Sequence, residues 1–214
     1  MSKSAAIHFE PRKTPVQARS TASVRAIMQA TIQVLLKDDK SKLTTTRIAQ
    51  RAGVSVGTLY QYFPNKSSLL RALLQEHLDS VALAMETACQ AAQGAPLATM
   101  AEAITSAFVQ AKFRNIDASV ALYTVSDDAE GRRIARTMHA RGIKAMTALL
   151  QTAREKTITE PEVVAATLLS AMAGVSRAML EMGVTRSTMA TMEKELTAMA
   201  RAYLEASAPG GLRT

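Results

Sequence analysis

Apolar residues recur at steps of three and four along nearly the whole chain, which is the spacing of amphipathic helices. The first such segment runs from Val16 to Lys37, and its stripe includes Val24, Ile27 and Val34. No segment shows the strict alternation of apolar and polar residues that marks a half-buried strand. The spacing therefore predicts an all-α fold.

Two short helices are predicted directly after this first one. Residues 43–46, LTTT, supply hydroxyl side chains that can cap a helix over residues 46–52, and Gly53 ends that helix. Ser55 can cap a second helix, which Pro64 and Asn65 stop. Two helices of about seven residues joined by a turn of about three form a helix-turn-helix. Further helices are predicted over residues 66–93, 97–113, 117–126, 128–156, 161–182 and 186–206.

Charge is distributed unevenly along the 214 residues. Residues 1–77 hold 12 Lys or Arg and 4 Asp or Glu, a net charge of +8, whereas residues 78–214 hold 14 of each kind. Lys and Arg attract phosphates regardless of base sequence, so this asymmetry favours a nucleic-acid partner. The alternative explanation is that the positive charge only keeps an ordinary basic protein soluble.

The sequence offers little for catalysis, metal binding or membrane insertion. Cys89 is the only cysteine, and His8, His77 and His139 are scattered, which disfavours a disulfide or a zinc site. With Asp127, these residues form no spacing typical of a nucleophile and its base. No apolar run approaches the roughly 20 residues of a membrane span, and the N-terminus lacks a secretory pattern. We expect a cytoplasmic protein that is not an enzyme and has no cofactor, catalytic site, metal or membrane partner.

The second short helix has two different faces. Successive residues rotate by about 100°, which places Leu59 and Phe63 together on the inward side. The outward face then consists of Gly57, Thr58 and Gln61, with Tyr60 and Tyr62 on its flanks. An amide, a hydroxyl and a glycine suit close entry into the major groove, and phenol hydroxyls can reach the sugar-phosphate walls.

The stretch LTTTRIAQRAGVSVGTLYQYFPNKSSLL, residues 43–70, resembles the N-terminal DNA-binding domain of the tetracycline-repressor (TetR) family of bacterial transcription regulators. The match covers about residues 16–75 and is free of gaps. It departs from the family at residues 37–43, KDDKSKL, where relatives usually carry a glycine and an aromatic residue. The shape of that turn is therefore not predicted by the resemblance.

The resemblance implies an all-helical homodimer that represses transcription at a palindromic operator and is released by a small effector. It assigns phosphate contacts to Thr45, Tyr60 and Lys66. It places Thr46, Val56, Gly57, Thr58, Gln61 and Tyr62 where relatives touch bases or groove walls. The implied domains are a flexible basic arm (1–15), a three-helix helix-turn-helix DNA-binding domain (16–64), a linking helix (65–93) and an effector-binding and dimerisation domain (94–214).

Several of these residues have a structural alternative. Tyr62 can pack on the first helix, and Tyr60 can cover Leu59. Arg25 and Arg47 fit solvated surface charges better than DNA ligands. The basic arm can reach a minor groove, although a flexible tail explains it as well.

Two predicted C-terminal helices are candidates for the dimer interface. The segment 161–182 is apolar around most of its circumference and rich in small residues, so it needs partners on two sides. The segment 186–206 carries the stripe Met189, Met192, Leu196, Met199 and Tyr203. We expect the pair to form half of an intersubunit four-helix bundle, with a simple core as the alternative for the methionine stripe.

An effector cavity is expected among the helices that follow the DNA-binding domain. The inward stripes supply Met85, Cys89, Ile104, Phe108, Tyr123, Met138 and Ala145 as candidate lining residues. Flexible methionines suit an adaptable apolar pocket, but they also fill ordinary cores. These residues favour a small apolar or aromatic effector. A DNA-binding architectural protein of low specificity, without an effector, is the alternative function.

Overall fold

The computed structural model describes residues 18–37, 43–123, 129–154 and 158–208. The predicted arm, the KDDKSKL turn between 38 and 42, and Asp127 lie outside these ranges. Within them, all regular structure is α-helical, as the apolar spacing predicted. The helices are α1 (Ala18–Lys37), α2 (Thr45–Ala52), α3 (Val56–Tyr62), α4 (Lys66–Ala91), α5 (Leu97–Phe113), α6 (Ile116–Tyr123), α7 (Ala129–Leu150), α8 (Pro161–Met182) and α9 (Arg186–Ser207).

The chain divides into two compact units. The first comprises the described residues up to Glu76 together with those of Val120–Gly131. The second comprises His77–Ser119 and the described residues from Arg132 onward. Helices α4, α6 and α7 each contribute residues to both units.

Local hydrogen bonds fix the ends of α2 and α3. The Thr44 side chain accepts the Arg47 N–H at 3.3 Å, and Gly53 ends α2 in the left-handed region with φ of 67°. Glycine adopts this conformation without the steric cost that a side chain would bring. The Ser55 hydroxyl then accepts the Thr58 N–H at 2.9 Å and starts α3. The predicted helix-turn-helix is confirmed, although α2 begins one residue earlier than predicted.

Helices α1, α2, α3 and the start of α4 all contribute to the core of the first unit. Its most deeply buried side chains are Ile27, Leu43, Ile48, Leu59, Phe63 and Leu69. Helix α1 packs against α2, and α2 packs against α3. At the surface, Arg51 Nε donates to Gln33 Oε1 at 2.7 Å and joins α2 to α1. The core therefore holds α3 with Leu59 and Phe63 inward.

In the second unit, α9 packs against both α5 and α8. The hydroxyls of Thr105 and Thr197 lie 2.7 Å apart across the contact between α5 and α9. The buried stripe of α9 is Met192, Leu196, Ala200 and Leu204. Of the predicted stripe, Met189 and Tyr203 are half-buried and Met199 is exposed, whereas Ala200 and Leu204 are buried in addition to Met192 and Leu196.

The end of α7 also differs from the prediction, which extended the helix to residue 156. Helix α7 ends at Leu150, and the Thr152 hydroxyl donates to the Leu149 carbonyl at 2.7 Å. The same hydroxyl accepts the Gly94 N–H at 3.0 Å. This contact with the turn between α4 and α5 fixes residues 151–152 outside the helix.

Helix α8 is long and apolar enough to cross a membrane by length and composition alone, within the part of the chain that was searched. Its residues Val164, Leu168 and Met172 are buried inside the second unit. A core helix of a water-soluble protein has the same composition, so this feature is weak support for a membrane span.

Candidate nucleic-acid interface

Helix α3 presents one buried and one exposed side. Leu59 and Phe63 are almost completely buried, as the rotation argument predicted. Gly57 and Gln61 are exposed on the other side, while Thr58 is half-buried. A Cβ atom added at Gly57 would meet only the Ser55 hydroxyl, at 3.7 Å. The outward face of α3 is therefore flat and has room for a close neighbour.

The hydroxyl of Thr58 belongs to the cap of α3. It lies 2.8 Å from the Ser55 hydroxyl, which already accepts the Thr58 backbone N–H. This pairing holds both side chains at the helix N-terminus. Val56, the first residue of α3, is half-buried, as is Tyr62 at the other end of the helix.

Two predicted phosphate ligands come together between α2 and α3. The hydroxyls of Thr45 and Tyr60 lie 3.2 Å apart, and 43% of Tyr60 is exposed. Thr45 is half-buried, whereas the adjacent Thr46 is exposed. The phenol oxygen of Tyr60 is therefore positioned beside Thr45 at the surface.

The third predicted phosphate ligand, Lys66, is the first residue of α4 and is half-buried. The Asn65 side chain caps this helix by accepting the Ser68 N–H at 2.8 Å. In return, the Ser68 hydroxyl accepts the Asn65 N–H at 3.3 Å. The N-terminus of α4 is thus fixed in place, and its partial positive charge adds to that of the lysine.

A basic groove on the outer side of α1 and α2 was not predicted. Its lining residues are Gln33, Val34, Lys37, Arg47, Gln50 and Arg51. Arg47 and Arg51 are four residues apart on α2, and Gln33 and Lys37 are four apart on α1. This spacing places each pair on one helix face. The signal was present in the sequence, but the packing of α1 on α2 was needed to bring the two pairs together.

The predicted effector residues fall into two groups by burial. Met85, Cys89, Ile104 and Phe108 are buried in the second unit. Tyr123, Met138 and Ala145 are half-buried, and Tyr123 belongs to the first unit. Burial, with a smaller effect of Glu86, raises the pKa of the Cys89 thiol to about 12, so the thiol stays protonated at neutral pH. A groove on α9, lined by Ala190, Glu193, Lys194, Thr197, Ala198 and Arg201, contains none of these candidates.

Met138 lies beside an ion-pair cluster between α4 and α7. Arg141 Nε and Nη2 donate to the two carboxylate oxygens of Glu86, each at 2.9 Å. Its Nη1 donates to Asp79 and lies 3.5 Å from the Met138 sulfur. These hydrogen bonds raise the pKa of Arg141. No group of three His, Cys, Asp or Glu side chains suited to a metal ion occurs within the described residues.

Two known families match the chain, one over the helix-turn-helix region and one over the C-terminal region. Residues 27–73 match the family described as bacterial regulatory proteins, tetR family. Residues 96–204, more than half of the chain, match the tetracyclin repressor-like C-terminal domain.

Individual relatives are more distant. A nucleoid occlusion factor, SlmA, from Actinobacillus pleuropneumoniae is 38% identical over 58 residues, which are 25% of this chain and 29% of that protein. An HTH-type transcriptional regulator, YvkB, from Bacillus subtilis is 40% identical over 53 residues, 25% of this chain and 28% of that protein. The chain thus matches less than a third of the length of these two relatives.

The fold similarity extends much further along the chain. A bacterial regulatory protein in the tetR family from Rhodococcus RHA1 has 18% sequence identity and a TM-score of 0.67. The superposition covers 85% of this chain and 96% of that structure. With the two family matches, the helix-turn-helix and the helical second unit identify the chain as a member of the TetR family of transcriptional regulators, DNA-binding proteins that are not enzymes.

Proposed function

We propose that this protein is a cytoplasmic repressor that binds a palindromic operator as a homodimer and is released by a small effector. The observation that carries the proposal is the exposed face of α3, which is flanked by the paired hydroxyls of Thr45 and Tyr60. A flat polar face with phosphate ligands beside it suits a recognition helix in the major groove.

Base reading is assigned to the centre of this face. Gln61 is exposed, and its amide can donate to and accept from an adenine edge at the same time. Gly57 allows the helix backbone to approach the bases because no side chain intervenes. Thr46, Val56, Thr58 and Tyr62 complete the proposed contacts with bases and groove walls.

Phosphate binding is assigned to Thr45, Tyr60 and Lys66. The Thr45 and Tyr60 hydroxyls are close enough to donate to neighbouring oxygens of one phosphate. Lys66 adds a cation at the N-terminus of α4, where unpaired N–H groups favour anions. Such contacts position the protein without selecting a base sequence.

Dimerisation is supported by the outer side of α8. Val163, Val175 and Met182 are 53%, 38% and 79% exposed, although they belong to the most apolar helix. Gly174 and Ala178 lie on the same exposed side and permit a close helix contact. On α9, Met192 and Leu196 are already buried within the protomer, so the residues of that stripe left for a partner are the exposed Met199 and the half-buried Met189 and Tyr203.

The operator can be found by sequencing genomic fragments that the purified protein selects. We expect an inverted repeat, bound at least about 10³-fold more tightly than scrambled DNA. A direct repeat or a single asymmetric site would contradict the homodimer on DNA. Reduced transcription from the selected promoters, measured with and without the protein, tests repression.

The sequence leaves a second function open, an architectural DNA-binding protein of low specificity without an effector. The same selection separates the two functions. An architectural protein should recover many dispersed sites with little preference, whereas a regulator should recover few sites near promoters.

The effector part of the proposal has its own test. If Ala145 lines the effector site, Ala145→Trp should impair release by an inducer while operator affinity stays nearly unchanged, because a ligand acts through its different affinities for two states. Changes at Ile104 and Phe108 should have the same effect. Survival of the inducer response in all three variants would place the effector elsewhere.

A further inference from the structure

The basic groove between α1 and α2, which we call the α1–α2 groove, has a volume of about 260 Å³. Its three cations, Lys37, Arg47 and Arg51, are all exposed. Gln33 and Gln50 add exposed amides that can donate hydrogen bonds. No carboxylate is among the lining residues that the structure describes, so the groove presents donors and positive charge.

A hydrogen bond fixes one of these cations. Arg51 Nε donates to Gln33 Oε1 at 2.7 Å, which holds the guanidinium group against α1. Within the described residues, Nη1 and Nη2 of Arg51 make no hydrogen bond or ion pair, and neither does the ammonium group of Lys37. Arg51 and Lys37 therefore keep N–H donors for an occupant of the groove.

Acidic residues are scarce in this part of the chain. Residues 18–37 and 43–76 contain seven Lys or Arg and one acidic residue, Glu76. The carboxylates nearest to Lys37 in sequence are Asp38 and Asp39, which lie outside the described residues. Even with these two counted, seven cations stand against three acidic residues. The excess of positive charge favours a polyanion as the partner.

The exposure of the three cations decides which kind of anion the groove suits. An exposed ion pair with a single carboxylate stabilises by only about 0 to 1 kcal/mol, because water and salt screen it. A nucleic-acid backbone gains more at the same place, because each neutralised phosphate releases condensed counter-ions. The guanidinium group also presents a planar set of donors that matches two phosphate oxygens. The groove therefore suits the phosphates of a nucleic acid better than an isolated small anion.

The α1–α2 groove begins in the helix turn that carries two of the proposed DNA ligands. Arg47 follows Thr45 and Thr46 in the first turn of α2. Thr46 and Gln50 are both exposed and four residues apart, so they share one helix face. Arg47 and Arg51 lie about 6 Å apart along the helix axis. A DNA strand bound at Thr45 and Thr46 therefore has the groove beside it, on the side of α2 that faces α1.

We propose that the α1–α2 groove binds phosphates of the DNA backbone other than those assigned to Thr45, Tyr60 and Lys66. Lys37 and Arg51 carry this second contact. The inference rests on the proposed function and extends the DNA interface from the recognition helix to a second surface of the first unit. These contacts add affinity and salt dependence but no base preference, because every nucleotide carries the same phosphate.

The salt dependence of DNA binding tests this proposal. The probes are the selected operator and a scrambled duplex of the same length, each titrated with the full-length protein at several salt concentrations. Lys37→Gln and Arg51→Gln should each reduce the slope of log K against log salt by about 2, since a dimer loses two phosphate contacts that contribute about 0.9 each. The base preference should stay unchanged. An unchanged slope in both variants would overturn the second phosphate surface.

Two controls separate the charge of the groove from helix packing and from net charge. Gln33→Ala removes the acceptor of Arg51 Nε but keeps the positive charge, so its slope should equal that of the wild type. Lys144→Gln removes an exposed lysine of α7 in the second unit and should also leave the slope unchanged. A reduction in either control equal to that in Arg51→Gln would overturn the assignment.

Ethylation interference on the selected operator identifies the phosphates, because ethylation removes the charge of one phosphate at a time. The double variant Lys37→Gln/Arg51→Gln should become insensitive to ethylation at phosphates that still matter to Tyr60→Phe. Loss of interference at the same phosphates in both proteins would mean that the groove is not a separate surface.

A failure of the proposed repressor function would look different. The selected fragments would then contain no inverted repeat, whereas the salt slope on the scrambled duplex would still respond to Lys37→Gln and Arg51→Gln, because phosphate contacts need no particular base sequence.

Discussion

The phenol oxygen of Tyr60 lies 3.2 Å from the hydroxyl of Thr45, fifteen residues earlier in the chain. This contact joins the recognition helix to the first turn of α2. Holding two hydroxyls together before DNA arrives reduces the side-chain entropy that binding would otherwise cost. The phosphate contact proposed for Thr45 and Tyr60 would therefore use a pair that is already formed.

Removing the phenol hydroxyl tests this pair. Tyr60→Phe should weaken binding to operator and to scrambled DNA alike, by about 1 kcal/mol for each half-site, because phosphate contacts carry no base information. Titration of both duplexes at one salt concentration measures the effect. Thr87→Val, which removes an exposed hydroxyl of α4, is the control and should bind as the wild type does. A changed base preference in Tyr60→Phe would contradict the assignment.

If Gln61 reads a base, its removal should affect binding to operator and to scrambled DNA differently. Gln61→Ala should cost about 1 to 3 kcal/mol on the operator and relax the preference at one base pair per half-site. Binding to scrambled DNA should hardly change, and Gln90→Ala, an exposed glutamine of α4, should leave both affinities unchanged. Titration against operators varied at each position shows which base pair is affected. Equal loss on operator and scrambled DNA would mean that Gln61 faces the backbone.

A side chain at Gly57 should keep α3 out of the DNA major groove without damaging the fold. Only Ser55 comes within 4 Å of an added Cβ, and leucine is favoured over glycine in helices by about 0.8 kcal/mol. Gly57→Leu should therefore keep the free energy of unfolding while losing operator affinity by at least about tenfold.

Urea unfolding and DNA titration separate the two quantities. Gln29→Leu, at an exposed position of α1, is the control for adding a leucine to the same unit. Operator binding that survives Gly57→Leu would show that this end of α3 stays away from the bases.

The dimer interface is tested at Gly174 on α8. Nothing lies within 4 Å of a Cβ atom added there, so Gly174→Leu should not disturb the protomer. If a second α8 packs on this face, the added side chain should weaken dimerisation by at least about tenfold. Sedimentation equilibrium detects the change as a shift toward the 22.9 kDa monomer. Ala140→Leu, at an exposed position of α7, should leave the dimer intact.

Burial, together with the charge of Lys112, lowers the pKa of His77, and this predicts a pH dependence of stability. The folded protein takes up the His77 proton at about pH 4 and the unfolded chain at about pH 6.5. On acidification the unfolded chain binds this proton before the folded protein does. The contribution of His77 to the free energy of unfolding is therefore complete above pH 6.5 and is lost as the pH falls toward 4. The loss should be about 3 kcal/mol.

Urea unfolding from pH 8 to pH 4 measures this loss. Other titrating groups contribute in both proteins, so the difference between wild type and His77→Gln isolates the histidine. The variant should lose less stability over this range. Parallel curves would show that His77 titrates normally in the folded protein.

The sequence alone determined the features that depend on neighbours along the chain. Gly53 and Ser55 fix the turn of the helix-turn-helix through their own backbone conformation and hydroxyl, and the structure places both as predicted. Helices α5 and α8 have the predicted bounds because their apolar spacing and flanking residues are local signals. The inward side of α3 followed from the rotation of about 100° per residue.

Only the tertiary structure decided which helices meet, because residues far apart in the chain become neighbours through packing. It ended α7 early through the contact of Thr152 with Gly94, and it placed α9 against α5. It also brought Thr45 to Tyr60 and His77 to Ser119. Periodicity gives the direction of each side chain within its own helix, but the partner across a contact depends on how the helices bury their apolar stripes together.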